Sequence, residues 1–103
     1  MSQSEAKKIA LEFANFLKGK GFPLASLYLF GSYAKGTQHK YSDIDIAVVS
    51  NLKRYTEKRA ESLFHLCHEV DDRIEPHYFL VDDFRDDYPP LASEVKLTGI
   101  KIV

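Results

Sequence analysis

Apolar residues at helical spacing near the amino terminus predict the first element of the chain. They recur every three or four positions, and the stripe consists of Ala6, Ile9, Ala10, Phe13 and Leu17. Ser2 and Glu5 have the spacing of a capping box, which satisfies the free backbone N–H groups of a first helical turn. Because glycine is a poor helix former, Gly19 and Gly21 are expected to end this helix.

Apolar runs rich in β-branched and aromatic residues predict the strands. The three main runs extend from Pro23 to Phe30, from Asp43 to Val49 and from about Arg73 to Val81. Ile100 to Val103 is expected to add a short terminal strand. Between the second and third runs, apolar residues return to helical spacing, which predicts a helix from about Thr56 to His68.

The last third of the chain predicts two shorter helical pieces. Asp82 or Asp83 can cap a short turn of helix, and Pro89-Pro90 is expected to open a helix that ends before Gly99. Helices that alternate with about three strands predict an α/β fold of the α+β type, with a small mixed sheet packed against helices. Neither repeats nor linkers divide residues 1–103, so we expect a single domain.

Composition agrees with a small globular domain and disfavours several classes of protein. The 103 residues are 45% hydrophobic, which suffices to bury roughly two-thirds of the surface of the unfolded chain. A formal net charge of −1 provides no basic field, so sequence-specific binding of nucleic acid is not expected. No apolar run reaches the ~18 residues of a membrane span and no secretory signal is recognisable, which predicts a cytoplasmic protein. Cys67 is the only cysteine, so an internal disulfide is excluded and packing in the core is expected.

The first candidate for chemistry is the break that Gly31 makes at the end of the first predicted strand. A short helix-compatible segment from Ser32 to Lys35 follows, so the local order is strand, turn, helix. Glycine at such a junction lets the backbone approach an anion, and N–H groups at the start of the following helix can donate to it. Ser32 adds a hydroxyl group. The turn is therefore a candidate site for the phosphates of a nucleoside triphosphate.

Two carboxylates follow this turn after ten further residues. Asp43 and Asp45 are two positions apart, so on a strand they point to one face with Cα atoms roughly 6–7 Å apart. Carboxylate oxygens suit Mg²⁺, and a cation would relieve the repulsion between two neighbouring acids. An Asx turn at the start of the strand would explain Asp43 alone. It does not explain Asp45, because an unpaired carboxylate inside an apolar run is costly.

Together these residues resemble the signature of the DNA polymerase β nucleotidyltransferase superfamily. The matching positions are Gly31, Ser32, Lys35, Gly36, Ser42, Asp43 and Asp45. The motif spans residues 27–49, and the fixed distance from the glycine turn to the acids makes it specific. The short chain is most similar to the minimal nucleotidyltransferases, single-domain relatives that are encoded beside HEPN-domain proteins and are often called MNT antitoxins.

The resemblance implies a third carboxylate on a later strand, for which Glu75 is the candidate. Relatives often carry Asp at this place, and Asp71 and Asp72 remain alternatives, although their segment is typical of a polar turn after a helix. Pro76 cannot donate to a strand ladder, so this strand should be interrupted or lie at an edge of the sheet. His77 is two residues beyond Glu75 and is expected to share its face, where it is a candidate for a supporting contact.

Two other patterns have weaker interpretations. Gly31 and Gly36 have the glycine spacing of a Walker A loop, but Thr37 stands where that loop requires a lysine, so a P-loop ATPase is disfavoured. His65 and His68 lie three residues apart on a predicted helix. No further ligand completes a metal site there, and a surface or packing role is expected.

The resemblance implies a reaction in which AMP moves from ATP to a hydroxyl acceptor, most simply a tyrosine of a partner HEPN toxin. Asp43, Asp45 and Glu75 would hold two Mg²⁺ ions. The residues expected to contact the nucleotide phosphates are Gly31, Ser32, Lys35 and Ser42. The alternative is a non-catalytic binding module that neutralises a HEPN-type partner by occlusion, and self-association into a homo-oligomer is left open.

Overall fold

The computed structural model of the chain describes residues 1–103 and contains five helices and four strands. The helices are α1 (Gln3–Gly19), α2 (Ser32–Lys35), α3 (Glu57–Val70), α4 (Val81–Arg85) and α5 (Leu91–Thr98). The strands are β1 (Leu24–Phe30), β2 (Ile44–Ser50), β3 (Ile74–Leu80) and β4 (Ile100–Lys101). None of the helices combines the length and the apolar character that crossing a membrane requires.

The predicted capping box begins α1. Ser2 Oγ accepts a hydrogen bond from the Glu5 N–H at 3.1 Å, and the Ser2 N–H donates to Glu5 Oε1 at 3.3 Å. The apolar stripe of the helix faces the core, and its buried members are Ala6, Ala10, Phe13, Ala14 and Leu17. α1 ends at Gly19, as predicted.

The strands form one mixed sheet in the order β3-β2-β1-β4. β1 runs antiparallel to β2 and to β4, whereas β3 runs parallel to β2 because α3 carries the chain back between them. Sequence predicted about three main strands, and the two-residue β4 makes four by pairing with Tyr28 and Leu29 of β1. β3 lies at an edge of the sheet, and Pro76 pairs in register with Ile46. Proline is tolerated there because the outer side of an edge strand needs no N–H donor.

Alternation along β2 divides the core between the two faces of the sheet. Ile44, Ile46 and Val48 point to the face covered by α1 and α3, where fifteen buried residues form the main cluster. Ala47 and Val49 point to the other face, where residues of α4 and α5 complete a smaller cluster of seven. Because its side chain alternates with Ile44 and Ile46, Asp45 lies on the face with the smaller cluster. The thin cover on this face leaves the end near Asp45 partly open to solvent.

Several predicted boundaries differ from the structure. β2 begins at Ile44 rather than Asp43, since the Ile44 N–H is the group that donates to the Arg73 carbonyl, at 2.9 Å. α3 extends two residues past His68 and is capped by Thr56, whose hydroxyl accepts from the Arg59 N–H. Shifts of one or two residues at element ends are normal.

The predicted cap of α4 by Asp82 or Asp83 is wrong. β3 leads directly into α4, so Leu80 occupies the cap position and makes no side-chain hydrogen bond there. Asp82 and Asp83 instead fall in the first helical turn. Carboxylates at that place favour the helix through the partial positive charge of its amino terminus.

Candidate active site

Gly31 joins β1 to α2 in a backbone conformation that is almost restricted to glycine. Its φ of 72° and ψ of −151° lie in a region that side chains with a Cβ atom rarely enter. A Cβ atom at this position would also collide with Asp45 Oδ2. Gly31 therefore leaves room for the Asp45 carboxylate against the backbone. The Asp45 carboxylate occupies the space that a Cβ atom would fill, and the binding of a phosphate by the backbone at Gly31 stays a prediction.

The one-turn helix α2 is held in place from two sides. The side chain of Tyr33, a residue of α2, is buried in the core, and Gln3 Nε2 of α1 donates to the Tyr33 carbonyl at 2.8 Å and to the Ala34 carbonyl at 3.3 Å. Gly36 ends the turn in a left-handed conformation. With four residues, α2 offers the N–H groups of a single turn rather than the summed dipole of a long helix.

Register between the two parallel strands brings the predicted acids together. Asp45 of β2 pairs with Glu75 of β3, and Ala47 pairs with His77. His77 Nε2 lies 3.3 Å from Asp45 Oδ1 and 3.9 Å from Glu75 Oε1. One ligand atom from each of Asp45, Glu75 and His77 lies within 4.8 Å of the other two, which makes the three residues a candidate metal site. The ring of Phe30 packs edge-on against His77, with centroids 4.9 Å apart.

Electrostatic repulsion marks this cluster. Removal from water raises the pKa of the Glu75 carboxyl, and the negative charge of Asp45 raises it further. His77 acts in the opposite direction, while Asp43 adds to the increase in pKa. The side chains of Asp45 and Glu75 are 25% and 53% exposed, so an ion can reach both. Two carboxylates that repel each other at an open sheet edge fit a hard divalent cation, which would supply the missing positive charge.

Among the three candidates for the third acid, Glu75 alone is grouped with Asp45. The Arg73 side chain donates two hydrogen bonds to Asp71, of 3.0 and 2.8 Å, which lower the pKa of Asp71. Asp72 is exposed and lies 3.4 Å from His68. Neither Asp71 nor Asp72 belongs to the cluster around Asp45.

The remaining predicted site residues lie outside the cluster of Asp45, Glu75 and His77 and make contacts of their own. Asp43 is exposed in the segment just before β2, and its negative charge contributes to the raised pKa of Glu75. Ser42 Oγ accepts a hydrogen bond from the His39 N–H at 2.9 Å and so closes the turn before this segment. Lys35 Nζ forms an ion pair with Glu94 Oε1 of α5 at 3.1 Å. Ser32 is half-buried as the first residue of α2.

Sequence reasoning placed His77 on the face of Glu75, and the structure confirms this. It did not foresee that the imidazole reaches Asp45 as well. The i, i+2 spacing from Glu75 signals the shared face, but contact with Asp45 depends on how β3 pairs with β2. His65 and His68 lie exposed on α3, as expected.

Comparison with known proteins relates this geometry to a family and to named relatives. Residues 7–100 match the model of the nucleotidyltransferase domain. The chain is 67% identical to protein adenylyltransferase MntA of Shewanella oneidensis over 27 residues, which are 26% of this chain and 19% of MntA. It is 44% identical over 52 residues to a Methanocaldococcus jannaschii protein provisionally named a protein adenylyltransferase, which covers 50% of this chain and 51% of that protein. The chain therefore spans about half or less of the length of the curated relatives it matches.

Solved structures share the fold. A toxin-antitoxin crystal structure with AMP-PNP matches with a TM-score of 0.65 and 28% identity, covering 87% of this chain and 68% of that chain. The structure of a tri-AMPylated Shewanella oneidensis HEPN toxin in complex with an MNT antitoxin matches with a TM-score of 0.61. That match covers 98% of this chain and 71% of that chain at 22% identity, and so shows the fold alone. Since the family match covers almost all of the residues described here, the chain belongs to the nucleotidyltransferase domain family.

Proposed function

We propose that this chain is a Mg²⁺-dependent nucleotidyltransferase that moves AMP from ATP to a hydroxyl group of a protein partner. The observation that carries the proposal is the cluster of Asp45, Glu75 and His77, which lies beside the Gly31 turn on an open end of the sheet. Family membership supports nucleotidyl transfer. The names of relatives as protein adenylyltransferases support AMP as the transferred group and a protein as the acceptor.

In this proposal Asp43, Asp45 and Glu75 hold two Mg²⁺ ions. When bound, Mg²⁺ would neutralise phosphate charge and favour the deprotonated form of the attacking hydroxyl. The acceptor oxygen forms a bond to the α-phosphorus of ATP, and the bond from that phosphorus to the pyrophosphate oxygen breaks. Glu75 accepts the hydroxyl proton, a role that suits the more exposed of the two carboxylates in the cluster.

Residues of the turn orient the nucleotide. Gly31 and Ser32 bind the β and γ phosphates, and Ser42 holds the turn that presents Asp43. Lys35 adds positive charge near the phosphates, for which its ammonium group must leave Glu94. That exposed ion pair is weak, since pairs of this kind contribute about 0–1 kcal/mol.

The partner that we propose is a HEPN-domain protein, with a tyrosine as the acceptor. Support for a toxin as the partner comes from the toxin-antitoxin crystal structure that matches at 28% identity, and the AMP-PNP in that structure supports ATP as the nucleotide. The choice of a HEPN protein follows the fold neighbour that was solved with a tri-AMPylated HEPN toxin. The acceptor must approach the open side of the cluster, where Glu75 is most exposed.

Mass spectrometry of the partner tests this function directly. The HEPN protein is incubated with ATP, Mg²⁺ and either the wild-type chain, Asp45→Asn or the control Asp72→Asn, whose carboxylate lies outside the cluster. We expect one or more AMP units on a hydroxyl side chain with the wild type and the control, and none with Asp45→Asn. A tight complex that neutralises the partner without any AMP adduct would instead establish the alternative, a non-catalytic binding module.

A further inference from the structure

His77 supplies the single nitrogen among the candidate ligands of the cluster. Its position on β3, two residues beyond Glu75, directs the ring toward the same edge, and Nε2 is the atom that faces both carboxylates. The side chain is 27% exposed, and Phe30 packs against the ring. The imidazole is thus held in place before any ion arrives.

The two distances from His77 Nε2 to the carboxylates are compatible with inner coordination. In an octahedral site with bonds of about 2.1 Å, neighbouring ligand atoms are about 3 Å apart and opposite ones about 4.2 Å apart. Nε2 lies 3.3 Å from Asp45 Oδ1 and 3.9 Å from Glu75 Oε1, between these two limits. An ion held by the two carboxylates therefore meets Nε2 after small side-chain adjustments.

Ligand chemistry then decides which ion the position prefers. Mg²⁺ is a hard cation that favours oxygen ligands, whereas first-row transition ions accept imidazole nitrogen and bind more tightly from Mn²⁺ to Co²⁺. A site with two carboxylates and one imidazole is thus less suited to Mg²⁺ than a site with carboxylates alone.

We propose that His77 is a direct metal ligand, and that it shifts one of the two ion positions from Mg²⁺ toward Mn²⁺ and Co²⁺. The inference rests on the proposed function, because it concerns the same carboxylates. The competing role for His77 is a hydrogen bond to Asp45 that orients the carboxylate without touching the ion. In the first role a ring nitrogen of His77 is bonded to the ion, and in the second role it is not.

Pulsed electron paramagnetic resonance of bound Mn²⁺ separates the two roles without measuring activity. Wild type, His77→Gln and the matched control His65→Gln are loaded with Mn²⁺ and a non-hydrolysable ATP analogue. Gln at position 77 keeps an amide donor for Asp45 but removes the ring nitrogen, and His65 is an exposed histidine on α3, outside the cluster. We expect ¹⁴N modulation on Mn²⁺ in the wild type and the control, and its loss in His77→Gln.

Ion competition provides the second measurement. His77→Gln should weaken Co²⁺ binding at least as much as the loss of a residue that only supports a ligand, which costs about 10–100-fold in affinity. Mg²⁺ binding should change much less, so the ratio of the two affinities shifts toward Mg²⁺. His77→Asn, checked for folding by circular dichroism, serves as a second variant with the same expectation.

The outcomes distinguish this inference from the proposed function. If the wild type binds Mn²⁺ without ¹⁴N modulation, or the affinity ratio is the same in all variants, His77 is not a ligand. The carboxylate site then stands, provided that Asp45→Asn abolishes Mn²⁺ binding. If the wild type binds no divalent ion even with the nucleotide analogue, both the ligand role of His77 and the metal-dependent reaction are wrong.

Discussion

Acidic side chains occur in two opposite electrostatic settings in this protein. On the neighbouring strands β2 and β3, Asp45 and Glu75 face each other, and the pKa of Glu75 is raised by burial and by the charge of Asp45. At the turn between α3 and β3, Asp71 accepts two hydrogen bonds from the Arg73 side chain and one from its backbone N–H, which lower the pKa of Asp71. Glu75 and Asp71 are only four positions apart along the chain.

The difference shows which acids stabilise the fold and which oppose it. A carboxylate paired with arginine favours the folded state, whereas neighbouring carboxylates disfavour it until a cation binds. A carboxyl with a raised pKa in an open site is a candidate functional position. Glu75 is such a carboxyl, whereas Asp71 is paired with Arg73 and is expected to stabilise the fold.

The largest expected effect is that of Asp45→Asn, which removes the negative charge that lies between Gly31 and Glu75. Loss of a metal ligand that stabilises the transition state by several kcal/mol should lower the transfer rate about a thousandfold or more. In the ion-free protein the pKa of Glu75 should fall, because the charge of Asp45 contributes to its rise. Enzyme assay and NMR titration of the Glu75 carboxyl check the two effects. An unchanged rate, or an unchanged pKa, would contradict the assignment.

Glu75→Gln and Asp71→Asn compare the two settings directly. Glu75→Gln should lower the transfer rate by about a hundredfold or more, the usual contribution of a general base. Asp71→Asn should leave the rate nearly unchanged, since Asp71 binds Arg73 and lies outside the cluster. Single-turnover assays with labelled ATP and the partner decide the ranking. A reversed ranking would mean that the third acid has been assigned to the wrong residue.

Gly31→Ala tests how tightly the Asp45 carboxylate is packed against the backbone at Gly31. Backbone strain should lower the free energy of unfolding by about 1–3 kcal/mol, and the new Cβ atom must displace Asp45 and so weaken ion binding.

Gly36→Ala is the matched control, since Gly36 also has a positive φ, of 73°, but open space around it. It should cost about 1–2 kcal/mol of stability and leave ion binding intact. Urea unfolding and calorimetric titration with Mn²⁺ separate strain from collision. Equal losses of ion binding in both variants would show that the collision with Asp45 is unimportant.

The smallest expected effect is the change in the free energy of unfolding that follows from removing the charge of Asp71. Asp71→Asn should lower the free energy of unfolding by about 1 kcal/mol at pH 7, because Arg73 is half exposed and solvent screens the pair. The backbone N–H of Arg73 keeps an acceptor in the variant, so the turn itself should persist.

The pH dependence of that difference has a definite sign. The folded-state pKa of Asp71 is lowered, so its contribution is complete above the unfolded-state pKa of about 3.9 and is lost as the pH falls through the lower folded value. Urea unfolding of wild type and variant should give a constant difference between about pH 5 and 8 and a smaller one near pH 3. A difference that grows on acidification would contradict the pairing.

Local patterns in the sequence were sufficient for several features. The capping box of Ser2 and Glu5, the buried side of α1 and the buried Cys67 depend on spacing within one helix. Pro76, which has no N–H to donate, predicted that β3 is interrupted or lies at an edge, and the structure shows the edge position. Other features were missed because they depend on distant contacts. Lys35 pairs with Glu94, 59 positions away, and the cap of α4 failed because β3 continues directly into that helix.

By itself, the sequence determined which acids alternate with apolar neighbours and hence which face of a strand each one occupies. The two-residue period places Asp45 on one face of β2, and Glu75 together with His77 on one face of β3. Only the tertiary structure decided that these faces coincide and that Asp45 lies opposite Glu75. That register depends on how α3 packs β3 against β2, and a slip of one residue would have turned Glu75 and His77 to the other side.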